Sequence, residues 1–285
     1  MAKRILVIGG TGIVGRGVAM QLKNDGYAVR ILTRNKTGAE AIFGGGYEFI
    51  VGDMTDDATL NRALAGCDGV HISLPSGHDV AQLEKIQVGV TSRVAQLAVA
   101  CGIQHLTYVS GYLVSEQFAH IPAERAKIRA ETAIKASGVG YTIFRPTYFT
   151  DLLPNFIQGK RASIFGKQPH PIRFLTIGDF AKMVSMAHGM PATNKTLFVC
   201  GQESLTFEQA LVMVAGKIAP QAKVSHAPFW MMNAMNRLFL RGEITEILQL
   251  MAVTERVGEL GYTPDEAYAL FGKPTTTVRD WCAMQ

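Results

Sequence analysis

Three glycines near the amino terminus have the spacing of a phosphate-binding turn. Gly10, Gly12 and Gly15 form G-x-G-x-x-G directly after the apolar run 5–8, and an amphipathic helical pattern follows them. Glycine permits a tight turn and lets backbone N–H groups approach a pyrophosphate, whose charge the positive end of the helix attracts. The stretch predicts a dinucleotide-binding turn, the alternative being a glycine turn without a ligand. The expected contact residues are Gly9, Gly10, Thr11, Gly12, Ile13, Val14 and Gly15.

The residues that end the second apolar run distinguish the two nicotinamide cofactors. An NAD-binding fold carries Asp or Glu about 20 residues after the glycines, to bind the ribose hydroxyls. This chain has Thr33 and Arg34 at that place. A guanidinium binds a 2′-phosphate through charge-assisted hydrogen bonds, whereas a carboxylate repels it. We therefore expect NADP(H) in preference to NAD(H), with Lys36 as a weaker second candidate and an exposed surface arginine as the alternative.

Two further segments follow predicted strands and are candidates for the same site. Asp53 and Met54 follow the third strand in VGDMTD, where Asp53 can accept from the adenine amine or cap the next helix. The segment SLPSG, residues 73–77, leaves the fourth strand at the carboxyl edge, where such sheets bind ligands. Ser73, Leu74 and Pro75 are expected beside the cofactor, and a plain turn is the alternative.

The elements that position these residues repeat one rhythm over the first half of the chain. Short β-branched runs alternate with helical stretches, which is typical of βαβ units and a parallel sheet. The pattern predicts an α/β fold, a doubly wound parallel Rossmann sheet over residues 1–152. Residues 153–285 have turn signals and a mostly helical pattern, so we expect a small, mainly helical C-terminal cap region folded onto the sheet. The six predicted strands are 5–8, 28–33, 47–51, 69–73, 106–110 and 141–144.

The composition narrows the class of protein. Hydrophobic residues make up 48% and charged residues 18%, as in an ordinary globular protein, and no apolar run approaches the roughly 20 residues of a membrane helix. The net charge of +5 comes from scattered basic residues, which favours an anionic small ligand over a nucleic acid. The four cysteines and seven histidines have no metal-ligand spacing, so no metal is expected. The cysteines are also far apart and lack the density of a disulfide scaffold, so the cytoplasm is the expected compartment.

Six motifs together resemble a known family. GGTGIVG, ILTRN, VGDMTD, YVSG, AKIRAE and YTIFRPTYF have the order and spacing of the NmrA-like, atypical branch of the extended short-chain dehydrogenases/reductases. The resemblance covers roughly residues 3–153 and extends more loosely into the cap region. It implies NAD(P)H binding. For activity it leaves two classes open, reductases of quinones and phenylpropanoids, and dinucleotide-sensing regulators without turnover.

The chain departs from the family's better-known catalytic pattern, Tyr-x-x-x-Lys. Lys127 matches the lysine, but Ala123 stands at the tyrosine position, and the catalytic Ser/Thr falls at Ser110 or, one register later, at Gly111. The resemblance implies that Lys127 binds cofactor and catalyses, as in isoflavone-reductase-like members without the tyrosine. The alternative is a solvated Lys127 paired with Glu131 one turn on. Alternative proton donors near the same edge are Tyr112 and His120.

The end of the sixth strand and one cap segment complete the candidate site. In relatives the segment RPTYF lies against the nicotinamide, so Pro146, Thr147 and Phe149 are expected neighbours of cofactor or substrate; the alternative is a turn that packs the cap region. Residues 229–235 are rich in methionine and aromatic side chains, which suit either an apolar wall for an aromatic ligand or core packing of an amphipathic helix.

These observations predict an NADPH-dependent oxidoreductase that transfers hydride to a small conjugated or aromatic acceptor. The alternative is an NADP(H)-binding redox sensor without turnover, whose cap region contacts a protein partner. An epimerase or dehydratase is the third hypothesis, which the missing tyrosine disfavours. The expected partner is a small-molecule substrate, without nucleic acid or membrane; an oligomer is compatible with the sequence.

Overall fold

A parallel sheet organises the first part of the molecule. Within residues 2–74 and 80–285, which the computed structural model describes, the largest sheet has seven strands in the order β10-β6-β5-β4-β1-β2-β3. The pairs β3–β2, β2–β1, β1–β4, β4–β5 and β5–β6 are parallel. The strands are β1 (Arg4–Ile8), β2 (Ala28–Thr33), β3 (Glu48–Val51), β4 (Gly69–Ile72), β5 (His105–Val109), β6 (Tyr141–Pro146) and β10 (Lys195–Val199).

Six of these strands lie where the sequence predicts them, so the doubly wound α/β fold is confirmed. The strand order reverses between β1 and β4, and this is the switch point where ligands bind such sheets. The seventh strand, β10, was missed because its sequence KTLFV follows a long helical pattern without a βαβ rhythm. The order of the sheet thus places the glycine-rich turn after β1 at the carboxyl edge beside the end of β4.

Helices cover this sheet and bury apolar side chains against it. The core includes Leu6, Ile72, Val94, Leu106 and Ile134, which are almost completely buried. The helix α6 begins with proline at its first turn and ends at Gly138, whose φ of 85° is the left-handed conformation that stops a helix. The helices are α1 (Ile13–Asn24), α2 (Lys36–Phe43), α3 (Asp57–Leu64), α4 (Val80–Gln82), α5 (Thr91–Ala100), α6 (Pro122–Ser137) and α7 (Ile177–Gly189).

One segment of the expected fourth helix has a wider turn than predicted. The apolar spacing over 83–101 predicts an α-helix, but residues Leu83–Val90 form a π-helix between α4 and α5. Gln87 is buried in this segment, where its side-chain oxygen accepts from the Tyr108 hydroxyl at 3.0 Å. Buried amides are stable only when hydrogen-bonded, and the wider turn keeps this one within reach of β5.

The chain divides into two compact units. The first comprises residues 1–145 and 180–197, and the second comprises residues 146–179 and 198–285. Most of α7 and most of β10 therefore belong to the first unit, where Phe180 packs edge-on against Phe144 with 5.5 Å between ring centroids. As a boundary between separately folding domains, the division after residue 152 stays a prediction.

The second unit is mainly helical, and aromatic side chains form its core. Tyr148, Phe156, Phe174 and Phe207 pack on one another, with 4.9 Å between the rings of Phe156 and Phe207. Thr206 and Gln209 form a capping box at the start of α8. Its helices are α8 (Phe207–Ile218), α9 (Phe229–Leu238), α10 (Thr245–Val257), α11 (Asp265–Phe271) and α12 (Val278–Ala283), with a 3-10 segment at Thr150–Phe156. Its short strands, not predicted, are β7 (Ile157–Gln158), β8 (Arg161–Phe165), β9 (Ile172–Arg173), β11 (Ser204–Leu205) and β12 (Lys223–Ala227).

The described part of the chain contains no helix of the length and apolar character that a membrane crossing requires. Cys67, Cys101, Cys200 and Cys282 are all free.

Candidate dinucleotide-binding and active site

The glycine-rich turn packs so closely that side chains do not fit in it. Gly9 has φ 81°, and a Cβ there would lie 1.9 Å from the backbone oxygen of Ser73, at the end of β4. A Cβ on Gly15 would lie 2.3 Å from the oxygen of Gly9, whose carbonyl also accepts from the Gly12 N–H at 3.0 Å. The turn therefore requires glycine for the close approach of two backbone segments as well as for its dihedral angle.

The start of α1 gives this turn an electrostatic character. Gly12 is the N-cap with extended backbone, no side chain caps the helix, and its first turn contains no acidic residue. The N–H groups of the first turn, including those of Ile13 and Val14, thus have no intrahelical acceptor and carry the positive end of the helix dipole. This cradle of glycines ahead of an uncapped helix fits the pyrophosphate of a dinucleotide. Thr11 beside it is exposed.

Arg34 follows β2 as an exposed side chain. Among the described residues it has no hydrogen bond and no ion pair within 4.0 Å, so its guanidinium is available to an anion. The adjacent Asn35 instead caps α2, since its side-chain oxygen accepts from the Gly38 N–H at 2.9 Å. Lys36 lies in the first turn of α2 and pairs with Glu40 at 3.6 Å, a contact in water that a phosphate can displace.

Asp53 is a pre-oriented acceptor. Its Oδ1 accepts from the Thr55 N–H at 2.8 Å and the Thr55 hydroxyl at 2.9 Å. These hydrogen bonds hold the pKa of the Asp53 carboxyl below its usual value, with smaller contributions from Lys85 and Arg34. The cap of α3 is Asp56, which accepts from Thr59, so the capping alternative for Asp53 is wrong. Sequence reasoning missed Lys85, an exposed lysine of the π-helical segment near Asp53.

The segment after β4 closes the other side of the glycine turn. The Ser73 N–H donates to the Ile8 oxygen at 3.0 Å, which continues the pairing of β4 with β1 to the edge of the sheet. Leu74 and Met54 are half-buried and pack against the core of the first unit. The prediction for Pro75 lies outside the described residues.

Lys127 lies at the carboxyl edge of the sheet. A Cβ on Gly111, just beyond β5, would be 3.3 Å from its Nζ, and its side chain is only 18% exposed. Its Nζ lies 3.9 Å from Glu124, on the preceding turn of α6. A lysine side chain that is largely buried at this edge differs from the solvated surface lysine of the alternative reading. Glu131, the partner expected in that reading, is itself held by other residues.

Ser110 and Glu131 form a second polar cluster near the end of β5. The Ser110 hydroxyl donates to Glu131 Oε1 at 2.6 Å, and Arg145 donates to both carboxylate oxygens, at 2.9 and 2.7 Å. Ser110 is thus hydrogen-bonded to a buried carboxylate that a bidentate arginine neutralises. Tyr112 is buried and His120 is exposed.

The segment after β6 lies in the second unit and is buried there. The Thr147 hydroxyl donates to the Arg173 oxygen at 2.6 Å, and its N–H donates to the Val199 oxygen at 2.9 Å. Phe149 forms a parallel bridge with Leu175. The segment is therefore buried in packing contacts, as the alternative of a packing turn predicts for Pro146, Thr147 and Phe149. The position of these residues beside a cofactor stays a prediction.

The methionine- and aromatic-rich segment forms α9, which buries one face only. Met232 is buried, and Phe229 and Met231 pack with it against α10 and β8. The side chains of Trp230, Leu238 and Phe239 are 74, 72 and 75% exposed. Core packing is thus correct for part of this segment, whereas Trp230 and Leu238 of α9 and Phe239 directly after it present apolar side chains to solvent.

The described residues hold no cluster of three His, Cys, Asp or Glu side chains that could bind a metal ion.

Sequence reasoning also missed Glu124, although it stands next to the tyrosine position and three residues before Lys127. That spacing alone places the two side chains on one helix face, so it was the available signal.

Comparison with known proteins indicates NAD(P)H, the cofactor class that the glycine-rich turn predicts. Residues 9–164 match the family model described as NAD(P)H-binding. The structure is similar to the NADPH-dependent quinone oxidoreductase of Escherichia coli complexed with NADPH, with 21% identity, 98% of this chain and 99% of that chain covered, and a TM-score of 0.77. At this identity the similarity concerns the fold.

Two curated relatives differ in what their names describe. One is the photosystem II assembly factor Ycf39 of Trieres chinensis, 27% identical over 82% of this chain and 75% of its own length. Another is the (4-alkanoyl-5-oxo-2,5-dihydrofuran-3-yl)methyl phosphate reductase of Streptomyces griseus subsp. griseus, 27% identical over 98% of this chain and 96% of its own length. The chain belongs to the NAD(P)H-binding family, as the resemblance to the NmrA-like, atypical short-chain dehydrogenases/reductases implies.

Proposed function

We propose that the protein is an NADPH-dependent reductase of a small conjugated or aromatic acceptor, such as a quinone or an enone. The observation that carries the proposal is the largely buried side chain of Lys127, whose ammonium lies against Gly111 at the carboxyl edge of the sheet. The NADPH-complexed quinone oxidoreductase of similar fold and the full-length match to a reductase support it. The expected compartment is the cytoplasm, where the four free cysteines stay reduced.

Each part of the site has one task in this reaction. The uncapped start of α1 and the glycine turn bind the pyrophosphate, Arg34 binds the 2′-phosphate with Lys36 in support, and Asp53 accepts from the adenine amine. When bound, NADPH supplies the hydride. Lys127 donates a hydrogen bond to the acceptor oxygen and then a proton, which neutralises the charge that develops there.

The first test measures NADPH consumption with a panel of quinones, enones and aromatic ketones. The wild type is expected to turn over at least one acceptor with saturation, and Lys127→Ala to lose about 10²-fold or more in kcat, the usual contribution of a general acid. Lys135→Ala is the matched control, because Lys135 lies two turns further along α6 and pairs with Glu131 at 3.4 Å. Turnover that survives in Lys127→Ala removes Lys127 from the mechanism.

The cofactor preference has a separate test at Arg34. Losing charge-assisted hydrogen bonds costs about 1.5–3 kcal/mol, so Arg34→Ala is expected to weaken NADPH binding about 10- to 100-fold and leave NADH binding unchanged. Lys36→Ala is the control and is expected to have a smaller effect, because its ammonium is paired with Glu40. Titration of each variant with both cofactors measures this, and equal losses for NADH and NADPH would contradict the assignment.

A second candidate function is an NADP(H)-binding regulatory or assembly protein without turnover. The observation that favours it is a group of exposed apolar side chains, those of Trp230 and Leu238 in α9 and of Phe239 directly after it. The relative described as a photosystem II assembly factor supports it as well. Tight NADPH binding with no turnover across the panel, and retention of a protein partner that Trp230→Ser abolishes, are the outcomes that this function predicts.

A further inference from the structure

Glu124 is a buried carboxylate that the proposed mechanism does not use. Its residue is only 4% exposed, and its Oε2 is buried with no hydrogen-bond partner in the part of the chain described here. The side chain leaves the first turn of α6, adjacent to Ala123 and on the same helix face as Lys127. Burying a carboxylate with one oxygen unsatisfied is costly, so such a group persists only where a nearby charge offsets the cost.

Among the described residues, the cation within ion-pair distance of Glu124 is Lys127, whose Nζ lies 3.9 Å from Oε1. Two other acids around α6 have partners of their own: Glu131 is held by Arg145 of β6, and Glu84 of the π-helical segment pairs with Arg129. Tyr108 of β5 lies near Glu131 and Glu124. Its burial and, to a smaller extent, the charges of these two acids raise the pKa of the Tyr108 hydroxyl, so this hydroxyl stays neutral. Glu124 therefore lies where its charge acts on Lys127 from the same helix face.

We propose that Glu124 is a positioning residue for Lys127: its buried carboxylate holds the ammonium of Lys127 in the charged form and fixes it against Gly111. The arrangement gives Lys127 a fixed negative neighbour at the edge where the family's tyrosine is replaced by Ala123. The role of Lys127 in a reaction rests on the proposed function, whereas the effect of Glu124 on its charge does not.

The decisive experiment measures the charge of Lys127 without cofactor or substrate. The protein is labelled with an amine-acetylating reagent over a range of pH, and peptide mass spectrometry gives the pH of half-labelling at Lys127. In Glu124→Gln this pH is expected to fall by about one unit, because the opposite charge that favours the ammonium is gone. Glu84→Gln is the matched control, since it breaks an ion pair of the same helix with Arg129 and leaves Lys127 unchanged.

Three results would overturn the proposal. The first is an unchanged half-labelling pH in Glu124→Gln, and the second is an equal shift at Lys135, which would indicate that α6 has loosened. The third concerns Glu124→Asp, which keeps the charge and also replaces the amide variant if that one does not fold. In Glu124→Asp the half-labelling pH at Lys127 is expected to shift by less than about one unit. A shift as large as that of Glu124→Gln would show that the negative charge is not the cause.

Turnover provides a separate readout. If the wild type reduces an acceptor, the alkaline limb of its kcat profile is expected to move to lower pH in Glu124→Gln, with the Kd for NADPH unchanged. Absence of turnover in the wild type defeats the proposed reductase function alone, because the labelling result stands without it.

Discussion

Gly9 is the residue at which the dinucleotide turn tolerates the least change. Gly9→Ala combines a left-handed φ with a Cβ placed 1.9 Å from the Ser73 oxygen. We expect the free energy of unfolding to fall by more than about 2 kcal/mol and NADPH binding to be lost, because the backbone of β4 must move. Denaturant unfolding and NADPH titration measure the two effects.

Gly26→Ala is the control for that substitution. Gly26 has φ 87°, but a Cβ there meets nothing within 4 Å, so the variant carries only the dihedral cost of about 1–2 kcal/mol. It is expected to keep NADPH binding. A Gly9→Ala protein that is no less stable than Gly26→Ala would contradict the close contact between the two backbone segments.

The residues of the site differ in how far the sequence could predict them. The spacing of Gly10, Gly12 and Gly15 predicts the turn because each glycine meets a local geometric requirement. The partners of Ser110 and Lys127 could not be predicted in the same way, since Glu131 and Glu124 are buried by the packing of α6 on the sheet. Burial of a carboxylate is a tertiary property, and spacing alone does not separate a buried glutamate from a solvated one.

Two aspartates that precede α3 have different expected roles: Asp56 caps the helix, and Asp53 binds the cofactor. Asp56→Ala removes the side chain that accepts from the Thr59 N–H at 2.9 Å and is expected to cost about 1 kcal/mol of stability with little effect on NADPH binding. Asp53→Ala is expected to do the reverse, weakening NADPH binding several-fold through a lost hydrogen bond. Unfolding and binding measured on both variants decide this, and a loss of stability confined to Asp53→Ala would contradict the assignment.

Among the elements, the strands of the βαβ units were predictable and β10 was not. Strands β1 to β6 are short β-branched runs between helices, and burial on both faces of the sheet enforces that pattern. Residues 195–199 return to the sheet after the 3-10 segment, short strands and α7, so the local rhythm gives no indication of the pairing. The π-helical turn at Leu83–Val90 was missed for a related reason, because apolar spacing does not report the hydrogen bonds of Gln87.

At the scale of the molecule, three buried histidines couple stability to pH. His71 Nδ1 and His188 Nε2 lie 2.8 and 3.0 Å from the Thr107 hydroxyl, and the ring of His105 lies 5.2 Å from that of His188. Burial lowers the pKa of His71 to about 3 and that of His105 to about 4, from 6.5, and that of His188 well below 6.5. The folded protein thus keeps these imidazoles neutral where the unfolded chain protonates them.

The free energy of unfolding is therefore expected to decrease as the pH falls from 6.5 towards 4. The unfolded state binds more protons in this window, so stability is complete above pH 6.5 and is lost on acidification. His105 alone contributes about 3 kcal/mol to this loss of unfolding free energy. His105→Gln is therefore expected to make the pH dependence of stability less steep, whereas His120→Gln, at an exposed position, is expected to leave it unchanged. Denaturant unfolding at pH 7, 5.5 and 4 measures this, and an equal slope in all three proteins would contradict it.

The first unit also includes residues 180–197, which follow a segment of the second unit along the chain. During translation, the turn, α6 and β6 leave the ribosome long before β10, the second neighbour of β6 in the sheet, is made. Until β10 arrives, β6 is an open edge, and open strand edges pair readily with other chains. The dinucleotide-binding unit thus completes its sheet late in synthesis, and the edge of β6 stays open until residues 195–199 have emerged.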